Sequence, residues 1–113
     1  MAELDDWEQP FRAAREAVRR GDFDEVKNSL EGLGFNFKQG KNPDHWTYYH
    51  PELRGDPILR NPCNFYRPHG ARRSADRIGR HDQSLAKQRI EALRAIRGAS
   101  RADEDPKNES PRN

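Results

Sequence analysis

The stretch from Gly34 to Pro51, GFNFKQGKNPDHWTYYHP, constrains this chain more than any other, because two alternating apolar-polar runs flank a cluster of turn residues. Phe35 and Phe37 fall on one side of an extended segment and Asn36 and Lys38 on the other, the period of two that a strand with one buried face requires. Gly40, Lys41, Asn42, Pro43 and Asp44 follow as a loop, since glycine and proline break regular structure and Asn and Asp bond their own backbone. His45 to Tyr49 are β-branched or aromatic types suited to a pleated surface. The stretch therefore predicts a β-hairpin with a five-residue loop. On its second strand His45, Thr47 and Tyr49 share one face, and Trp46, Tyr48 and His50 the other. With Trp46 and Tyr48 turned inward, His45 points out beside the loop lysine.

Helices are expected on either side of the hairpin. Leu4, Trp7, Phe11, Ala14 and Val18 recur at helical spacing over residues 4 to 20. Pro10 is comfortable only in a first turn, so the helix starts near Gln9, or is kinked there, with Leu4 and Trp7 packing from an irregular arm. Gly21 ends it. A second helix spans Asp22 to Leu33, with Asp22 and Glu25 placed as a capping box, Phe23, Val26, Leu30 and Leu33 as the buried stripe, and Gly34 as the left-handed stop. After a polar turn, a third extended stretch lies within Ile58 to Tyr66, held to an edge or split in two by Pro62. A last helix, His81 to Arg97, buries Leu85, Ala86, Ile90, Leu93 and Ile96, leaves Arg89, Arg94 and Arg97 to solvent, and closes at Gly98. Residues 99 to 113 hold no large apolar side chain and are expected to be disordered.

The predicted order is helix, helix, three short strands, helix: an α+β fold with a three-stranded antiparallel sheet covered on one face by helices. The expected divisions are a helical extension over 1–21, an α-β-β-β-α domain over 22–98 and a tail over 99–113. Charged residues make up 35% of the chain and hydrophobic ones 32%, so the core must be small. The net charge of +2 hides a separation. Residues 1–33 carry five Lys/Arg against nine Asp/Glu, and residues 34–98 carry thirteen against six, which directs a basic body toward a polyanion. The single Cys63 excludes an internal disulfide, and no apolar run has the length of a membrane span, so the cytoplasm is the expected compartment.

The run DEVKNSLEGLGFNFKQGKNPDHWTYYHPE, with the strand and helix after it, resembles the HicA toxins of bacterial type II toxin-antitoxin systems. These are small messenger-RNA-cutting proteins with a double-stranded-RNA-binding-domain-like (dsRBD-like) fold. Gly34-Phe35 matches the family's helix end, Lys38 to Lys41 its basic turn, and His45, Tyr48, His50 and Pro51 its histidine and Tyr-x-His-Pro. His69-Gly70 falls where the family has a His-Gly. Pro43-Asp44 stand where the family has Gly-Ser, and the turn is about two residues longer. The resemblance implies His45 as the catalytic histidine and an endoribonuclease paired with a HicB-like antitoxin protein.

The chemistry asked of such a site is narrow. RNA carries its own nucleophile, the 2′-hydroxyl, so scission needs a base, an acid for the leaving oxygen and positive charge on the phosphate. His45 serves the proton transfer, Lys38, Lys41, Arg72, Arg73 and Arg77 the phosphates, and Tyr49 a base-stacking surface. Neither a cofactor nor a metal is called for: His45, His50, His69 and His81 lack paired ligand spacing. Two other readings use the same residues. One is a non-catalytic RNA-binding module of this fold. The other is an adaptor whose acidic front, with Trp7 and Phe11, docks a protein. The front segment is further expected to pack on the core or to form a homodimer contact.

Overall fold

Pro10 decides where the first helix begins. In the computed structural model, which describes residues 6–67 and 77–104, α1 spans Gln9–Arg20 with Pro10 in its first turn, where the missing N–H costs nothing. Trp7 packs from the preceding turn, edge-on to Phe11 at 5.7 Å between ring centroids. Leu4 lies outside the described residues. Gly21, at φ 80°, ends the helix in the left-handed conformation that glycine adopts without strain. α2 (Phe23–Gly32) follows at once, capped by Asp22, whose side chain accepts from the Glu25 amide at 3.2 Å. The reciprocal half of the expected capping box is not made. The Glu25 carboxylate bonds the Arg20 guanidinium instead, because the α1–α2 junction brings that cation within reach.

Three strands, β1 (Asn36–Gln39), β2 (His45–Tyr49) and β3 (Cys63–Tyr66), form an antiparallel sheet in the order β1-β2-β3. The loop between β1 and β2 has the predicted bounds, and Pro62 stands just before β3, an edge strand that its missing N–H does not interrupt. A 3-10 turn, Pro51–Leu53, leads out of β2 and buries Leu53. Phe35, Tyr48, Cys63 and Phe65 are buried under the helices, with Phe37 and Trp46 partly so. Phe65 stacks on Phe23 at 4.6 Å and Phe37 on Tyr48 at 4.9 Å, so aromatic rings join the sheet to α2. Phe11, Ala14, Ala17 and Val18 of α1 belong to the same core, so the N-terminal helix is an integral layer of it.

The last helix departs from expectation at its end. α3 spans Arg80–Glu104 and runs through Gly98, which is seated beneath the Trp7 ring: a Cβ there would lie 3.3 Å from the indole. That glycine provides clearance for Trp7 and does not terminate the helix. Residues 99–104, expected in a disordered tail, are therefore helical, and 105–113 lie outside the described residues. The three arginines expected in solvent are engaged. Arg89 is buried and donates to the Leu85 carbonyl, Arg94 pairs with Glu8 at 2.8 Å, and Arg97 pairs with Glu52 at 3.0 Å. Their long stems cover apolar surface between the layers, which a face-by-face reading of the helix does not anticipate. Ile96, expected in the core, is exposed.

The turn from α2 into β1 is a Schellman motif: Phe35 N–H bonds the Leu30 carbonyl at 3.1 Å and Gly34 N–H the Glu31 carbonyl at 2.9 Å. Gly34 has φ 101°, and a Cβ on it would stand 2.8 Å from His50 Nε2. His50 is buried and holds both sides of this junction. Its Nδ1 accepts from the Glu52 amide at 3.0 Å and its Nε2 donates to the Leu33 carbonyl at 2.9 Å. Arg97 Nη2 donates to the same carbonyl at 2.9 Å.

Two stability outcomes follow. Gly34→Ala meets both the left-handed backbone penalty and the His50 ring, and should lower unfolding free energy by roughly 2–4 kcal/mol in urea titration; a loss under about 0.5 kcal/mol would contradict the junction. Among the described residues the buried Tyr48 hydroxyl has no nitrogen or oxygen hydrogen-bond partner and only the Cys63 thiol beside it, and burial pushes its pKa far above that of an ordinary phenol. Tyr48→Phe should be neutral or stabilising by up to about 1 kcal/mol, whereas a clear loss would reveal a bond to that oxygen.

Candidate nucleic-acid interface

The antiparallel register decides which side chains share the open face of the sheet. Asn36 stands opposite Tyr49, Lys38 opposite Thr47, Thr47 opposite Asn64 and His45 opposite Tyr66. Because Phe37, Tyr48 and Phe65 point into the core, all of these residues point away from it. The face is correspondingly open. Asn36, Lys38 and Asn64 are exposed, Tyr49 and Tyr66 are 44% and 49% exposed, and His45 and Thr47 are half-buried.

His45 is held from three sides. Its ring stacks on Tyr66 at 4.6 Å between centroids with 12° between planes, and its Nε2 lies 2.9 Å from Asn64 Oδ1. Its backbone closes the hairpin loop: the carbonyl accepts from Gly40 N–H at 2.7 Å, and the amide donates to the Asn42 carbonyl at 2.9 Å. The loop is pinned further by Gln39 Nε2 on the Pro43 carbonyl, the Asp44 amide on Asn42 Oδ1, and Arg67 N–H on the Asp44 carbonyl. The imidazole thus stands at the edge of the open face on a bonded loop.

Of the residues singled out from sequence, the register brings Lys38 and Tyr49 onto the face with His45. Lys38 is diagonal to His45 across β1 and β2, a relationship of about 7–8 Å between Cα atoms in such ladders. Lys41 is exposed in the loop that His45 closes. Arg77 is placed elsewhere. It bridges to Asp22, donates to the Arg20 carbonyl at 2.7 Å, and lines a groove between α1 and α3 with Arg15, Arg19, Gln83 and Lys87. Arg72, Arg73 and His69 lie outside the described residues. Trp46 turns inward, with Lys27 Nζ 4.7 Å from its ring centroid, and His50 belongs to the α2–β1 junction. Asn64 and Tyr66 escaped sequence reasoning, although the alternation Cys63-Asn64-Phe65-Tyr66 carries the signal once Pro62 is taken as the strand's start.

Among the described residues no three His, Cys, Asp or Glu side chains are grouped as metal ligands, and no helix is long and apolar enough to cross a membrane. The free Cys63 is buried, and desolvation raises its thiol pKa, so it offers no accessible thiolate. What the open face presents is a fixed imidazole, exposed tyrosine rings and lysine side chains, which are groups that stack on bases and meet phosphates. No protein-family model, curated protein or solved structure matches this chain.

Because the His45 ring packs on the outer face of the sheet, His45→Ala should lower stability by no more than about 1 kcal/mol in urea titration. A loss of several kcal/mol would mean that the ring belongs to the core.

Proposed function

We propose that this chain is a metal-independent endoribonuclease of HicA-like kind, with a dsRBD-like fold, His45 as its proton-transfer residue, and messenger RNA as its substrate. In this reading it acts in the cytoplasm as the toxin of a toxin-antitoxin pair, and a HicB-like antitoxin protein covers the open sheet face. The observation that carries the reading is the placement of His45: half-exposed, stacked on Tyr66, and sharing one face with Lys38 and Tyr49. The order α2-β1-β2-β3-α3 and the Tyr48-x-His50-Pro51 run agree with the same family.

The step balances with groups that RNA and water supply. His45 takes the proton of a 2′-hydroxyl, and the 2′-oxygen attacks the adjacent phosphorus to give a 2′,3′-cyclic phosphate. The 5′-oxygen leaves and takes its proton from water. Lys38 and Lys41 offset charge on the phosphate, and an exposed tyrosine stacks on a neighbouring base. One observation favours a second reading, a binding module without catalysis: Asp44 puts a carboxylate one residue from the imidazole, where the resembling family has a serine.

The test is cleavage of an end-labelled single-stranded RNA in chelator, comparing the protein with His45→Ala after both are shown to be folded. Wild type should yield cyclic-phosphate ends, and His45→Ala should be slower by about 100-fold or more with RNA affinity nearly kept. Equal rates would remove His45 from the chemistry. Salt-dependent binding without products from either protein would establish the module instead.

A further inference from the structure

The two ring nitrogens of His45 have different surroundings. Nε2 lies 2.9 Å from the side-chain oxygen Oδ1 of Asn64, an atom that only accepts, so a hydrogen bond between the two requires the proton on Nε2. A neutral imidazole has one such proton, and the lone pair is then on Nδ1. The Tyr66 ring stacks on the imidazole within 12° of parallel, in the orientation that makes this bond. Asn64 and Tyr66 reach the ring from the same neighbouring strand, on the face that the register sets, so one element fixes both the orientation and the tautomer.

Nδ1 is turned toward the hairpin loop. A Cβ built on Gly40 would stand 3.1 Å from Nδ1 and 3.7 Å from Cγ. Gly40 is not among the glycines with positive φ, so its backbone accepts a side chain without strain. What the missing side chain provides there is clearance above Nδ1. With Nε2 bonded to Asn64, Nδ1 is the ring nitrogen left to receive a hydroxyl proton.

We infer that Asn64 and Tyr66 are positioning residues that hold His45 as its Nε2–H tautomer, and that Gly40 keeps open the approach to the accepting Nδ1. The hydroxyl to be deprotonated then enters at the loop end of the sheet, where Lys41 follows Gly40, and not over the middle of β2 and β3. The catalytic use of Nδ1 rests on the ribonuclease reading above. The tautomer does not.

The experiment is nuclear magnetic resonance of protein with nitrogen-15 in its histidine rings, at about pH 9, well above the ordinary histidine pKa of about 6.5. Ring nitrogen shifts separate protonated from unprotonated nitrogens, and backbone amide shifts report that each variant is folded. Wild type should show His45 with a proton on Nε2 that exchanges slowly with water. Asn64→Asp, whose side chain still accepts, should keep that signal, and Asn64→Leu should lose the slow exchange. A proton on Nδ1 in wild type, or an Nε2 proton equally protected in Asn64→Leu, would overturn the lock. Gly40→Ala should keep the tautomer and the KM for RNA while lowering kcat by about 100-fold, the scale of a misplaced reacting group; an unchanged kcat would overturn the approach through Nδ1. If wild type cuts no RNA, the ribonuclease reading fails by itself, and the ring spectrum still decides the tautomer.

Discussion

The carbonyl of Leu33 is the point on which the sheet depends. Leu33 caps the C-terminal end of α2, where carbonyls have no partner in the helix, and its carbonyl receives bonds from both His50 Nε2 and Arg97 Nη2. His50 comes from the end of β2 and Arg97 from α3, so three elements meet at one oxygen. The arrangement requires that Gly34 have no side chain, because the His50 ring fills that space. Once the chain turns there into β1, strand parity determines the rest. Phe35 and Phe37 face the helices, Lys38 faces outward, and the partner strand must present His45 on the outer side.

The two histidines of β2 and its exit show how parity divides roles. His45 and His50 are an odd number of residues apart, so one strand sends them to opposite faces. His50 is consumed by backbone bonds in the core, and His45 stands on the open face with its ring held by Tyr66 and Asn64. The arginines divide in a similar way. Arg94 and Arg97 pair with Glu8 and Glu52, Arg15 with Glu91, and Arg67 with Asp24. Much of the basic excess counted along the chain therefore joins layers of the fold. The charge open to a polyanion beside His45 comes from lysines of the hairpin.

The hairpin, its loop bounds and the inward direction of Tyr48 were legible because period-two alternation and turn chemistry agree over the whole stretch. α1 and α2 were legible because Pro10, Gly21, Asp22 and Gly34 punctuate them. The end of α3 was not, since a glycine that clears space for Trp7 looks in sequence like one that stops a helix. The arginines of α3 were misread for a related reason: helical spacing shows which face is apolar but not which long stem crosses it to reach a carboxylate on another element. In the site, His45, Lys38 and Tyr49 followed from β1 and β2 alone. Asn64 and Tyr66 required the register of β3, which depends on a pairing distant in sequence, and Arg77 is occupied at the α1–α2 junction.

The claim at the centre of this account is that the open sheet face around His45 is where RNA is held. Titrating a short single-stranded RNA into isotope-labelled protein and following its resonances tests that placement without relying on cleavage. The account predicts shift changes that concentrate at Lys38, Lys41, His45, Thr47, Tyr49, Asn64 and Tyr66. Changes concentrated instead in the groove of Arg15, Arg19, Arg77 and Lys87, or none at low salt, would contradict it.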